Sequence, residues 1–156
     1  GAIGDINLVL TRENAVDSDL LVIAGDNLFR ESLAGFVDYA KKTQATVGVH
    51  RVDDPEAIKK YGVVTVDADG VITHFEEKPK DPKSNLAASA LYYYSKGVLP
   101  LFTTYIAAGN NPDQPGLFLQ WLYRRSSVNT FQITGQWLDI GSKETLEEAN
   151  RAFGAR

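Results

Sequence analysis

At 156 residues the chain has the length of one ordinary domain, and two separate cores are not expected. With 44% hydrophobic and 23% charged residues, apolar runs too short for a bilayer, no signal-like basic and apolar leader and no cysteine, it reads as a globular cytoplasmic protein; collagen-like, disordered, membrane-spanning and disulfide-stapled classes are excluded. Sixteen Lys+Arg against twenty Asp+Glu give a net charge of −4, which offers phosphate backbones no general attraction, so nucleic acid is not an expected partner.

Along the chain, Ala2 to Glu13 reads as a helix, and DLLVIAG, continuously apolar, as a strand buried on both faces. Leu33, Phe36, Val37 and Ala40 fall at i, i+3, i+4 and i+7 and predict a helix with one buried stripe. ATVGVHRV is a further strand, so strand, helix and strand follow in order and suggest a right-handed parallel crossover. YGVVTVDADGVITHFEEKP carries two β-rich arms around Asp69-Gly70, a strong hairpin signal. ASALYYYS is a strand on which Leu91 and Tyr93 take one face and Tyr92 and Tyr94 the other, an alternation that mostly describes packing. GVLPLFTTYIAAG and PGLFLQWLYRR read as helices, and SVNTFQITGQWLDIG as two short strands closing on Ser142. Ser142 is a plausible N-cap for a last helix with Glu144 near its positive end and Leu146, Ala149 and Phe153 on its buried stripe. The expected architecture is α/β, a mixed and mostly parallel Rossmann-like sheet flanked by helices, forming a single domain over residues 1–156.

Three places could carry chemistry. Asp26 ends the first strand, where ligands of open α/β sheets bind, and Gly25 before it lets a ligand approach the backbone closely; Asp26 equally suits the N-cap of a following helix. Asp139 in WLDIGS repeats the pattern. Two carboxylates at one crevice repel each other unless a cation sits between them, and Mg²⁺ with few protein ligands completes its shell from water and substrate phosphates. Two unrelated caps are the plainer alternative. The third place is FEEKPKDPKSN, Phe75 to Asn85, a solvated turn by pattern alone. In the functional reading Glu77 accepts hydrogen bonds from hydroxyls, Lys78 offers a point charge to phosphate, and Pro79 holds Lys78 in extended geometry. His50 and His74 stand apart from any metal-ligand spacing.

Together IAGDNLF (23–29), YGVVTVDADGVITHFEEKPKDPKSN (61–85) and QWLDIGSKETLEEAN (136–150) resemble the sugar-1-phosphate nucleotidyltransferases, the group of glucose-1-phosphate thymidylyltransferase and its uridylyl- and guanylyl-transferring relatives. The resemblance implies an enzyme in which a sugar 1-phosphate oxygen attacks the α-phosphorus of a nucleoside triphosphate, releasing pyrophosphate and giving a nucleotide-sugar. It implies that Asp26 and Asp139 hold Mg²⁺ as catalytic residues, that Tyr61 and Gly62 line the sugar pocket, and that Glu77 and Lys78 grip sugar hydroxyls and the 1-phosphate. Ala88 matches a small wall of that pocket, and Gly1 the start of a glycine-containing segment whose backbone reads the base.

The resemblance covers the metal and sugar-phosphate half. The family's glycine-rich, base-bearing phosphate loop does not precede Gly1, so the chain is expected to be a partial domain, inactive or weak alone, exposing apolar surface and open to pairing with a copy of itself. A non-catalytic sugar-phosphate binding or regulatory module is the alternative, and a metal-dependent glycosyltransferase a third. The base is not specified, and glucose is expected only as the family's commonest sugar. DQPGLFLQWLY departs from the thymidylyltransferase pattern.

Overall fold

The structure, a computed structural model, describes residues 1–13 and 15–154. Helix α1 (Ala2–Arg12) buries Ile3 and Leu10, with Asp5 in its first turn and Arg12 in its last, each suited to the helix dipole. Strands β1 (Leu20–Ile23) and β2 (Asn27–Phe29), helix α2 (Ala34–Ala40) and strand β3 (Ala45–Arg51) follow. Strands β4 (Gly62–Val66) and β5 (Ile72–Glu77) form the expected hairpin, closed where Gly70 takes φ +76° and Asp67 Oδ1 accepts from the backbone N–H of Asp69 and Val71. The chain then runs through β6 (Leu86–Tyr94), α3 (Pro100–Ala107), α4 (Pro115–Leu122), β7 (Asn129–Gln132), β8 (Trp137–Asp139) and α5 (Lys143–Phe153). Among the described residues no helix is long and apolar enough to cross a membrane.

The layering is that of an α/β fold, a mixed sheet flanked by helices. The main sheet has the order β5-β4-β6-β3-β7, with β1 also on β6, and a separate small ladder joins β2 to β8. Alternation along β6 divides the core as its sequence requires. Tyr92 and Tyr94 enter the cluster with Phe102 and Phe118 of α3 and α4, while Leu91 and Tyr93 enter another with Phe36 and Ala40 of α2. Tyr93 Oη donates to Asp19 at 2.6 Å; burial foremost, then that carboxylate, pushes its hydroxyl up to about 12.

Two expectations about strand direction and burial are corrected. The β1-α2-β3 segment does not make neighbouring parallel strands, because β6 inserts between them and runs antiparallel to both. The β4/β5 and β4/β6 pairs are also antiparallel, and among the described residues only β3/β7 is parallel. Antiparallel ladders dominate here because β6, nine residues long, pairs antiparallel with β1, β3 and β4 in turn. Strand β1, expected to be buried on both faces, buries one: Leu20 and Val22 pack on the core, while Leu21 and Ile23 are 42% and 46% exposed, sharing a hollow with exposed Val9 of α1. Nothing among the described residues covers that face.

Near the end of the chain Ser142 caps α5 as expected: its Oγ accepts from Thr145 N at 3.2 Å while Thr145 Oγ1 accepts from Ser142 N at 3.0 Å, a reciprocal capping box. Ala149 is buried, but Leu146, placed on the buried stripe by spacing, is 46% exposed, because among the described residues α5 docks on the sheet system mainly at β8 and leaves part of that stripe open. Replacing Ser142 by Ala is expected to lower stability by about 1 kcal/mol, measurable as a shift in the urea midpoint at unchanged slope.

Candidate functional site

The ladder between β2 and β8 builds the site. Its register sets Asn27 opposite Asp139, and Ile140 N donates to Asp26 O at 2.8 Å, so two acidic positions 113 residues apart in sequence lie side by side. Glu31 locks the arm by accepting from the backbone N–H of Thr134 and Gly135 at 3.0 and 2.9 Å, and Arg30 N donates to Gln136 O at 3.0 Å. Neither carboxylate caps a helix. Asp26 is followed by a strand rather than a helix, and the cap of α5 is Ser142, so the alternative of two unrelated caps is corrected.

Asn27 is the connector between the carboxylates. Its Nδ2 donates to Asp26 Oδ1 at 2.9 Å and, at the longer distance of 3.4 Å, to Asp139 Oδ1; its Oδ1 accepts from Trp137 Nε1 at 2.6 Å. Trp137 in turn packs on Tyr61, with ring centroids 5.1 Å apart, and on His50 at 5.5 Å. Burial, followed by repulsion from Asp26, raises the Asp139 carboxyl above its ordinary value, and Lys78 opposes the rise. Such a pair is what a hard divalent cation relieves, and oxygen-only ligation by two carboxylates suits Mg²⁺, which takes its other ligands from water and phosphates. Among the described residues no group of three or more His, Cys, Asp or Glu converges to hold a metal ion, so a cation here would depend on such outside ligands.

The carboxylates border a cavity of about 270 Å³. Its wall includes Asp26, Asn27, Tyr61, Gly62, Glu77, Lys78, Ala88, Trp137 and Asp139, so seven positions singled out in the sequence meet at one hollow. Gly25 and Gly1 do not line it. A side chain added at Gly25 would meet nothing within 4 Å, and Gly1 is held instead against the loop before α4, where Ala2 N donates to Asp113 O at 3.0 Å.

Local folding explains how the opposite wall is placed. Gly62 pairs with Glu77 at the open end of the hairpin, and Lys78 N donates to Tyr61 O at 3.1 Å, so Tyr61, Gly62, Glu77 and Lys78 arrive together. Lys78 is not extended before Pro79, as expected, but left-handed with φ +48°. The preference imposed by the following proline is overridden because the chain must turn out of the sheet directly after the ladder ends; a non-glycine residue there carries roughly 1 kcal/mol or more of strain. Glu77 is half-buried, and burial raises its carboxyl above the ordinary range against the pull of Lys78. Along β6, Ala90 has φ +47°, and the pairing with β3 shifts between Val47 and Val49. This irregularity lies where β6 passes from pairing β4 to pairing β1, and small Ala88 and Ala90 leave the hollow open there.

The sequence reading missed Asn27, Trp137 and Tyr92 as wall residues, together with Gln114, Pro115 and Gly116 at the start of α4. Asn27 was legible in principle, standing next to a strand-end Asp. Tyr92 was read as packing, and it is: its ring lies 6.2 Å from that of Tyr94 in the core, yet it also borders the cavity, and burial and then Glu77 raise its hydroxyl. Of the two histidines, His50 has its Nδ1 buried without a partner against Trp137, and His74 lies 3.8 Å from Glu76 at the surface.

Comparison with known proteins gives a consistent result. Residues 1–155 match the family model described as nucleotidyl transferase. The chain is 34% identical over 144 residues to a glucose-1-phosphate adenylyltransferase of Thermomicrobium roseum, an alignment covering 86% of this chain and 32% of that protein. It is 31% identical over 143 residues to the bifunctional protein GlmU of Methanocaldococcus jannaschii, covering 92% and 33%. Its fold superposes on a UDP-glucose pyrophosphorylase complexed with UDP-glucose with TM-score 0.82 at 24% identity, over 99% of this chain and 62% of that one. The chain therefore spans about a third of the length of these two curated relatives, at 32% and 33%.

Proposed function

We propose, from the premise that this chain belongs to the nucleotidyl transferase family, that it supplies the metal- and sugar-phosphate-binding part of an enzyme transferring a nucleotidyl group from a nucleoside triphosphate to a sugar 1-phosphate. The products are a nucleotide-sugar and pyrophosphate. The single observation that carries the reading is the convergence of Asp26 and Asp139 on the same 270 Å³ cavity that Glu77 and Lys78 border.

In this reading the chain's residues bind and orient more than they react, as phosphoryl-type transfers require. Glu77 accepts hydrogen bonds from ring hydroxyls, and Lys78 offsets repulsion between the 1-phosphate and the triphosphate, an effect that grows where water is excluded. Tyr61 and Trp137 give the sugar an apolar wall, and Ala88 and Ala90 leave room for it. Asp26 and Asp139, ordered by Asn27, would hold Mg²⁺, which when bound supplies positive charge to the phosphates.

The test is isothermal calorimetry with glucose 1-phosphate and Mg²⁺, followed by pyrophosphate release with a panel of nucleoside triphosphates, on the protein that carries this chain. Millimolar or tighter binding of the sugar phosphate, lost in Glu77→Ala, is expected; binding that ignores Glu77 would refute the reading. Lys78→Gly separates function from folding. It removes the ammonium but suits the left-handed backbone, so stability should stay within about 1 kcal/mol of wild type while affinity for the 1-phosphate falls about tenfold. A large loss of stability without loss of affinity would assign Lys78 to the fold alone.

A further inference from the structure

Two residues of α4 act on Glu77 from positions one helical turn apart. Gln120 Oε1 accepts from the backbone N–H of Glu77 at 3.1 Å, fixing the end of β5. Four residues earlier, Gly116 is buried directly against the Glu77 carboxyl: a Cβ at that position would lie 2.7 Å from Cδ and closer still to Oε2. From the other side, a Cβ at Gly62 would lie 2.9 Å from the same Oε2. The carboxylate thus occupies a slot between the backbones of β4 and α4 that exists only because both positions lack a side chain.

The helix is in no position to yield. Phe118, Leu119 and Leu122 anchor it in the core with at most 1% exposure, and Pro115 sets the backbone at its start. Glu77 is the mobile partner, so filling the slot displaces the carboxylate rather than the helix. Among the described residues no side chain or backbone group donates to the Glu77 carboxylate, and its acceptor capacity is left for a ligand in the cavity.

We propose that Gly116 and Gln120 make α4 the positioning element that aims the Glu77 carboxylate at sugar hydroxyls, and so sets the discrimination between a sugar 1-phosphate and a bare phosphate. The inference rests on the reading of the pocket given above and extends it to two residues whose part is to place the Glu77 carboxylate rather than to bond the sugar. Lys78 answers to the phosphate in both ligands, whereas Glu77 answers only to the sugar. Misaiming Glu77 therefore removes selectivity and leaves phosphate binding in place.

The experiment measures dissociation constants for glucose 1-phosphate and for inorganic phosphate, each with Mg²⁺, on wild type, Gly116→Ala, Gln120→Leu and Glu77→Ala. Gly35→Ala, a helical glycine on α2 remote from the cavity, controls for loss of a glycine as such. Gly116→Ala should weaken glucose 1-phosphate about tenfold or more, with inorganic phosphate changed less than about twofold, and Gln120→Leu should act in the same direction by about three- to tenfold. Should Gly116→Ala fail to unfold cooperatively, Gln120→Leu carries the test. Wild-type selectivity in both α4 variants, alongside its loss in Glu77→Ala, overturns the positioning role alone. Equal weakening of both ligands overturns it as well, marking α4 as mere support. An unaffected Glu77→Ala overturns the reading of the pocket, and the inference with it.

Discussion

Under the proposed function, Asp139→Asn is expected to reduce nucleotidyl transfer by the protein that carries this chain by about 10²- to 10³-fold, in the range seen when one preorganised electrostatic group is removed from an active site. The same substitution should leave the metal-free protein at least as stable as wild type. The Asp139 carboxyl is raised by burial and by Asp26, so the folded state disfavours its charge. Between the ordinary carboxylate range and the raised folded value, the native state holds more protons than the unfolded one, and stability falls as pH rises through that window. Asparagine removes the unfavourable charge and keeps an oxygen for the Asn27 Nδ2 contact, which is 3.4 Å long in wild type. Melting temperature at pH 7, compared with transfer rate, checks both parts. A variant that loses activity and stability together would indicate that Asp139 acts as a structural acceptor instead.

The largest effect on folding is expected at Phe118, fully buried on α4. Its ring stacks on Phe102 with centroids 4.1 Å apart and meets Tyr94 at 5.7 Å, Tyr105 at 5.3 Å and Trp121 at 6.0 Å. Truncation to alanine removes the centre of this aromatic cluster, and rings on three elements are too constrained to close the space, so a loss of about 3–5 kcal/mol is expected from equilibrium denaturation. A loss below about 1.5 kcal/mol would mean the neighbours collapse into the void. The site should register the change as well. Because α4 carries Gly116 and Gln120, loosening its anchor should weaken glucose 1-phosphate binding before it unfolds the chain.

How much was legible beforehand differs between elements for definite reasons. Hydrophobic period located α1, α2 and the β4/β5 hairpin, because in each the residues that pack are neighbours in sequence. The alternation in LYYYS assigned Leu91 and Tyr93 to one face and Tyr92 and Tyr94 to the other, and the two core clusters divide along that line. Strand direction was not legible: β1, α2 and β3 fit a parallel crossover locally, and only the later arrival of β6 between the two strands decides otherwise. Leu146 and Leu21 were assigned to the interior because spacing specifies a face, while burial of that face needs something lying over it.

Residue types at strand ends singled out Asp26, Asp139, Glu77 and Lys78, whereas Tyr61, Gly62 and Ala88 were singled out only by the family resemblance of the short segments that carry them. The sequence by itself thus determined which side chains are available and which local elements carry them. Only the tertiary structure decided that two acidic strand ends meet across the β2–β8 ladder rather than capping separate helices, that Lys78 turns left-handed, and that α4 closes the slot around Glu77. Those are long-range outcomes: a ladder's register and a helix's docking depend on partners more than a hundred or some forty residues away, whose approach no local pattern encodes.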